Sequence, residues 1–218
     1  MKRTIAYIDG YNLYYGLLKG TPWKWLDLGL LVKAMLRDDH DFLAIKYFTA
    51  PIRTYPHDAV ALERQNVYLQ ALATDARVRI QLGYYSKNAT LLPAHDEPCK
   101  SCELHNQSKG MLRVVKLEEK QSDVNIASAM ILDAARDEAD SFVLVSGDTD
   151  FITPVRIVRK EFGKNVIVLN PHRRRSDLEQ HASYYRDIPC DLPARCQLPD
   201  EVPVGTHGNV IRRPEAWR

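Results

Sequence analysis

The sequence predicts an α/β protein built on an open, mostly parallel sheet flanked by helices. Three observations carry this prediction. Short apolar runs alternate with helix-length segments along most of the 218 residues. The run SFVLVSG (141–147) is apolar almost without a break, as a strand is when a parallel sheet is covered on both faces, and NVIVLNP (165–171) reads likewise. Asp9, Asp148 and Asp150 stand at the ends of apolar runs, and open α/β sheets gather functional groups outside the carboxyl ends of their strands.

In chain order, TIAYID (4–9) is the first strand, and LDLGLLVKAMLR (26–37) is compatible with a helix. LAIKYFTAPI (43–52) is a second strand, stopped by Pro51. In AVALERQNVYLQALAT (59–74), Val60, Leu62, Val67, Leu69 and Leu72 recur close to a helical period. RVRIQLGYY (77–85) alternates like a strand and MLRVVKLEE (111–119) is another. SDVNIASAMILDAARD (122–137) is the clearest helix, with Ser122 placed to cap it and Val124, Ala127, Ile131 and Ala134 on one face. After the strand at 141–147, Pro154 suits the first turn of a helix that Gly163 ends, and 165–171 closes the series.

This length suits one substantial domain, here residues 1–188. Residues 86–110 are polar and turn-rich and read as an insertion between strands; residues 189–218 hold five prolines and read as an irregular tail. With 45% hydrophobic and 27% charged residues the chain reads as soluble and globular, and a formal charge of +2 says little about partners. No apolar run approaches a membrane span. MKRTIAYID opens like a signal peptide but breaks at Asp9 before any apolar stretch of sufficient length, so it reads as the first core strand of a cytoplasmic protein. Four cysteines do not suggest a disulfide framework.

The candidate acidic set is Asp9, Asp123, Asp148 and Asp150, with Asn12 beside it. Any one aspartate at a strand end or in a helix's first turn can be a cap or turn former. Several at one sheet edge repel one another and need a cation to coexist. Mg²⁺ or Mn²⁺ would satisfy them, since hard divalent cations take oxygen ligands and keep several waters. The chain has neither a P-loop nor a GxGxxG fingerprint.

YIDGYNLYYG (7–16), EEKQSDVNIA (118–127) and SGDTDF (146–151), in this order, resemble the NYN domain, a branch of the PIN-like nuclease superfamily. The resemblance spans about residues 4–170. It implies a Rossmann-like sheet whose acidic residues bind Mg²⁺ or Mn²⁺ and hydrolyse RNA phosphodiester bonds. Carried over by residue, the metal site falls on Asp9, Asp123, Asp148 and Asp150, with Asn12 as a polar companion that positions phosphate or water. Glu119 sits where the family often has a glutamate, whereas Gln121 and Ser122 replace the usual glycine and small apolar residue. PIN-like proteins are frequently dimers, so the resemblance also allows a homodimer.

Around this edge, Lys120, Arg173, Arg174 and Arg175 are candidates for phosphate contact, since only a positive flank offsets repulsion between RNA and carboxylates. Tyr11, Tyr14 and Tyr15 read chiefly as packing residues, as do Trp23 and Trp25. Within the insertion, His95, Cys99, Cys102 and His105 have a spacing that admits a structural zinc site, with Cys190 or Cys196 able to replace either histidine; two free cysteines in a polar loop is the alternative. The leading expectation is thus a cytoplasmic Mg²⁺/Mn²⁺-dependent endoribonuclease. A non-cleaving RNA-binding module and an enzyme acting on a small molecule, a phosphate ester or an aromatic acid, are the competing readings.

Overall fold

The computed structural model describes residues 1–52, 59–93, 110–172, 174–205 and 208–218. The chain runs β1 (Lys2–Asp9), α1 (Gly10–Leu13) continuing into a π-helical turn (Tyr14–Leu18), α2 (Leu28–Met35), β2 (His40–Thr49), α3 (Ala59–Leu72), β3 (Val78–Leu82), β4 (Tyr84–Pro93) and β5 (Met111–Lys120). It continues through α4 (Ser122–Ala135), β6 (Ser141–Val145), α5 (Ile152–Lys160), β7 (Asn165–Asn170), β8 (Tyr184–Asp187), α6 (Leu192–Arg195), β9 (Glu201–Val204) and β10 (Asn209–Arg212). Six strands form one parallel sheet in the order β3-β2-β1-β6-β7-β8. The expected α/β class is observed. Among the described residues no helix is long and apolar enough to cross a membrane.

The pleat of β1 explains the two cores, because successive side chains point to opposite faces. Ala6 and Ile8 face one layer with Val143, Val145, Ile167 and Leu169, covered by α2 and α3. Ile5 and Tyr7 face the other with Phe142, Leu144, Val166 and Val168, covered by α4 and α5. The strand order reverses between β1 and β6, so the carboxyl ends of these neighbours open onto the crevice where such sheets place their sites.

Two segments depart from the sequence reading. Strand β4 runs through the first part of the expected insertion to Pro93 and pairs antiparallel with β5 as a separate two-stranded sheet. The candidate zinc ligands His95, Cys99, Cys102 and His105 lie outside the described residues. Residues 189–218, expected as an irregular tail, carry α6 and the β9–β10 hairpin and pack on the first core through Leu192, Cys196 and Val202. Trp25 anchors this segment: its indole donates to the Pro199 carbonyl at 2.8 Å, and its ring lies 6.4 Å from that of Trp217. Cys196 is therefore a packing residue, and burial pushes its thiol above the ordinary value.

Helix α4 also turns differently from the expected face. Ile126, Met130, Asp133 and Ala134 are buried, while Val124 is exposed. Asp133 can be inside because Lys46 forms an ion pair with it and the Tyr7 hydroxyl donates to it. A buried carboxylate is tolerated only with such partners.

Candidate metal centre

Strand β1 ends in Asp9, which is buried at 4% exposure and caps α1, one carboxylate oxygen accepting from the Asn12 amide at 2.9 Å. The other oxygen accepts from the Ser146 hydroxyl at 3.1 Å. Ser146 Oγ in turn accepts from the Asp148 amide at 3.1 Å, so one hydroxyl joins the ends of β1 and β6. The Asn12 side-chain oxygen accepts from the Gly147 amide at 2.9 Å, a second tie across the same gap. A Cβ on Gly147 would stand 2.3 Å from Asn170 Oδ1, so only glycine fits this crossing.

Beyond this buried link, Asp148 caps the next turn and accepts from the Asp150 amide at 3.0 Å. Asp123 comes from the first turn of α4. One carboxylate oxygen from each of Asp123, Asp148 and Asp150 lies within 4.8 Å of the others. Asp9 stands outside that group of three, close enough that Asp123 and Asp148 act on its charge. Burial above all, with these two charges adding, pushes the Asp9 carboxyl up to about 7, although the Asn12 and Ser146 hydrogen bonds act the other way. Burial and the charges of Asp148, Glu119 and Asp150 also raise Asp123.

The donor set fits a hard divalent cation. The three oxygens are close enough to share one ion, and among the described residues no lysine or arginine is ion-paired with Asp123, Asp148 or Asp150. Lys120 pairs instead with Glu118, and Arg175 with Glu179, both on exposed surface. The Arg174 carbonyl accepts from the Asn170 side chain, which holds the loop after β7 in place. Arg173 lies outside the described residues.

Helix α4 starts in a way its sequence misdescribes. Gln121, not Ser122, occupies the capping position, with φ 80, and the Ser122 hydroxyl donates to Glu119 at 2.6 Å. The left-handed backbone costs a non-glycine residue about 1 kcal/mol or more. Gln121→Gly is therefore expected to stabilise the chain by roughly 0.5–1 kcal/mol after the flexibility of glycine is counted. A calorimetric midpoint raised by about 2–4 °C per kcal/mol would register it, and a lowered midpoint would contradict it. Ser146 is the bridging residue of this edge that the acidic motif hides. Its only signal is its place between an apolar strand and Asp148.

Comparison with known proteins agrees with this geometry. The sequence model of the NYN domain matches residues 3–189. The chain belongs to the NYN domain family. NYN domains are nuclease-like, and the family typically uses divalent metals. This NYN chain is 32% identical to 6-hydroxy-3-succinoylpyridine 3-monooxygenase HspA of Pseudomonas putida, over 99% of its own length and 75% of that protein. It also resembles the crystal structure of a protein of unknown function from Vibrio parahaemolyticus, with a TM-score of 0.52 and 18% identity over 86% of this chain and 93% of that one. At that identity the second likeness concerns the fold alone.

Proposed function

We propose that this chain is a metal-dependent ribonuclease of the cytoplasm, hydrolysing RNA phosphodiester bonds with Mg²⁺ or Mn²⁺ held by Asp123, Asp148 and Asp150 and with Asp9 completing the acidic set. The observation that carries this reading is the approach of three carboxylate oxygens to within 4.8 Å at the switch point of the sheet. A bound divalent cation supplies Lewis acidity toward phosphoryl oxygens and acidifies water. The side chain of Asn12, fixed by the Gly147 amide, orients a phosphate oxygen through its amide group. Asp9, buried behind the three carboxylates, ties the end of β1 to that of β6 through the Ser146 hydroxyl and so fixes the floor of the site. Lys120 and Arg175 meet the RNA backbone by exchanging exposed ion pairs, which cost little to break, and Arg173 and Arg174 belong to the same basic run.

A second reading is favoured by two observations: a cavity lined with aromatic side chains adjoins the acidic edge, and the Pseudomonas putida relative is named for action on a substituted pyridine. In that reading the same scaffold acts on a small aromatic acid. The test is side-by-side incubation of the purified chain in air with single-stranded RNA, DNA, a phosphate diester and 6-hydroxy-3-succinoylpyridine, with and without Mn²⁺, and for the pyridine also with a nicotinamide reductant to supply the two electrons that monooxygenation requires. Mn²⁺-dependent cleavage of RNA is the expected result. Turnover of the pyridine alone would replace the ribonuclease reading with the second.

A further inference from the structure

A cavity of about 400 Å³ opens between α1, the carboxyl end of β2 and α3, within the size range of small-molecule sites. Its walls are aromatic, with the rings of Tyr14, Tyr47, Tyr68 and Trp217 around it. Such faces suit a flat π-system, which stacks on them.

The charge on these walls runs against that of the neighbouring edge. Lys24 and Arg64 line the cavity, and no carboxylate does so among the described residues. The mouth nevertheless adjoins the acidic site, because the lining residues Gly10 and Tyr11 directly follow Asp9. An occupant with an anionic group is thus drawn to the lysine and arginine and repelled from the carboxylates, which fixes its orientation.

The walls are also held in place before anything binds. Gln65 donates to the Ala50 carbonyl at 2.9 Å and accepts from the Ile52 amide at 2.7 Å. The Tyr68 hydroxyl donates to the Leu26 carbonyl at 2.7 Å. A Cβ at Gly10 would lie 2.7 Å from the Phe48 carbonyl oxygen and 2.8 Å from the Tyr47 ring, so glycine lets α1 close on β2 here. Preformed walls spend less binding energy on ordering.

We propose that this cavity is a binding site for a planar aromatic ring carrying an anionic group, with the ring among the tyrosines and Trp217 and the anion at Lys24 and Arg64. A nucleotide and an aromatic carboxylate share that chemistry. Binding here is independent of which reaction the carboxylates perform, so it can be read without turnover.

Isothermal titration of the 218-residue chain with nicotinate and with uridine 5′-monophosphate tests the site, with nicotinamide, uridine and succinate as controls. Saturable binding of at least one aromatic anion is expected, at least tenfold tighter than its neutral counterpart and than succinate. Arg64→Ala should weaken it at least tenfold, and Asp148→Asn should leave it intact while sharply lowering metal-dependent cleavage. Preference for nicotinate assigns the site to aromatic acids, and preference for the nucleotide assigns it to nucleotides. Absence of saturable binding by both anions overturns the proposal, as does equal affinity for the neutral controls. The comparison among ligands on the unmodified chain stands even if Arg64→Ala fails to fold.

Discussion

Asp148→Asn is expected to lower Mn²⁺-dependent RNA cleavage by roughly 10²-fold or more, mostly in kcat, while leaving the fold intact. Asparagine keeps a side-chain oxygen where Asp148 accepts from the Asp150 amide, so the turn after β6 retains its cap. What it loses is the charge, and with it one of the three oxygens gathered for a cation. In the metal-free chain the loss relieves repulsion with Asp123, so the thermal midpoint should hold or rise. In excess Mn²⁺ the order should reverse, because the native chain gains stability from the bound ion and the variant gains less. Asp123→Asn should behave in the same way, and the double variant should cost little more than either alone, since the ligands act as a unit. Undiminished cleavage by a pure Asp148→Asn preparation would remove the mechanism.

The parts of this centre that the sequence revealed are those written in local chemistry. Buried parallel strands must be apolar on both faces, so β6 and β7 announce themselves, and the aspartates just past strand ends fall where the sheet needs no core residue. Strand β4 announces nothing through Ser86, Lys87 and Asn88, because neither face of the β4–β5 ribbon is deeply buried there. The face of α4 is obscured for the opposite reason. A carboxylate paired with Lys46 sits inside, and a helical stripe interrupted by a charge reads as the wrong stripe. Nor does any local pattern bring Trp217 beside Trp25 and Tyr68, since that contact joins distant segments and exists only after folding.

The same limit explains the carboxylates themselves. Sequence position suggests four equivalent ligands, but their surroundings separate them. Asp148 and Asp150 follow the end of β6, with Asp150 exposed, whereas Asp9 is enclosed by α1 and Ser146. Burial depends on which strands become neighbours, and β1 and β6, far apart in the chain, pair only in the folded sheet. The tyrosines after Asp9 divide likewise: Tyr14 packs against the first core, while Tyr11 and Tyr15 remain substantially exposed.

Asp9 should make the metal-free chain less stable as pH rises. Its carboxyl is pushed from 3.8 up to about 7 in the folded chain, so on folding the group takes up a proton between these values. Where the native state binds more protons than the unfolded state, stability falls with increasing pH, and each tenfold gain in proton affinity on folding corresponds to about 1.4 kcal/mol. Across the window from about pH 4 to about pH 7 the loss from this one group is about 4 kcal/mol, and Asp123, also raised, adds in the same direction. His40 opposes them over part of the range, because burial lowers its proton affinity and favours the native state as the imidazole loses its charge. Comparison with Asp9→Asn isolates the carboxyl: the variant keeps the His40 contribution but has no proton to lose. Its amide can still accept from Asn12 and face Ser146, whose hydroxyl can turn to accept. Thermal midpoints measured from pH 5 to pH 8 without divalent metal should fall more steeply for the native chain than for Asp9→Asn. Adding Mn²⁺ should lift the native chain more at pH 8 than at pH 5, since cation binding favours the ionised carboxylates. Parallel pH profiles for the two proteins would mean that Asp9 is ionised at little cost in the metal-free chain, and would remove the stability linkage drawn from its burial.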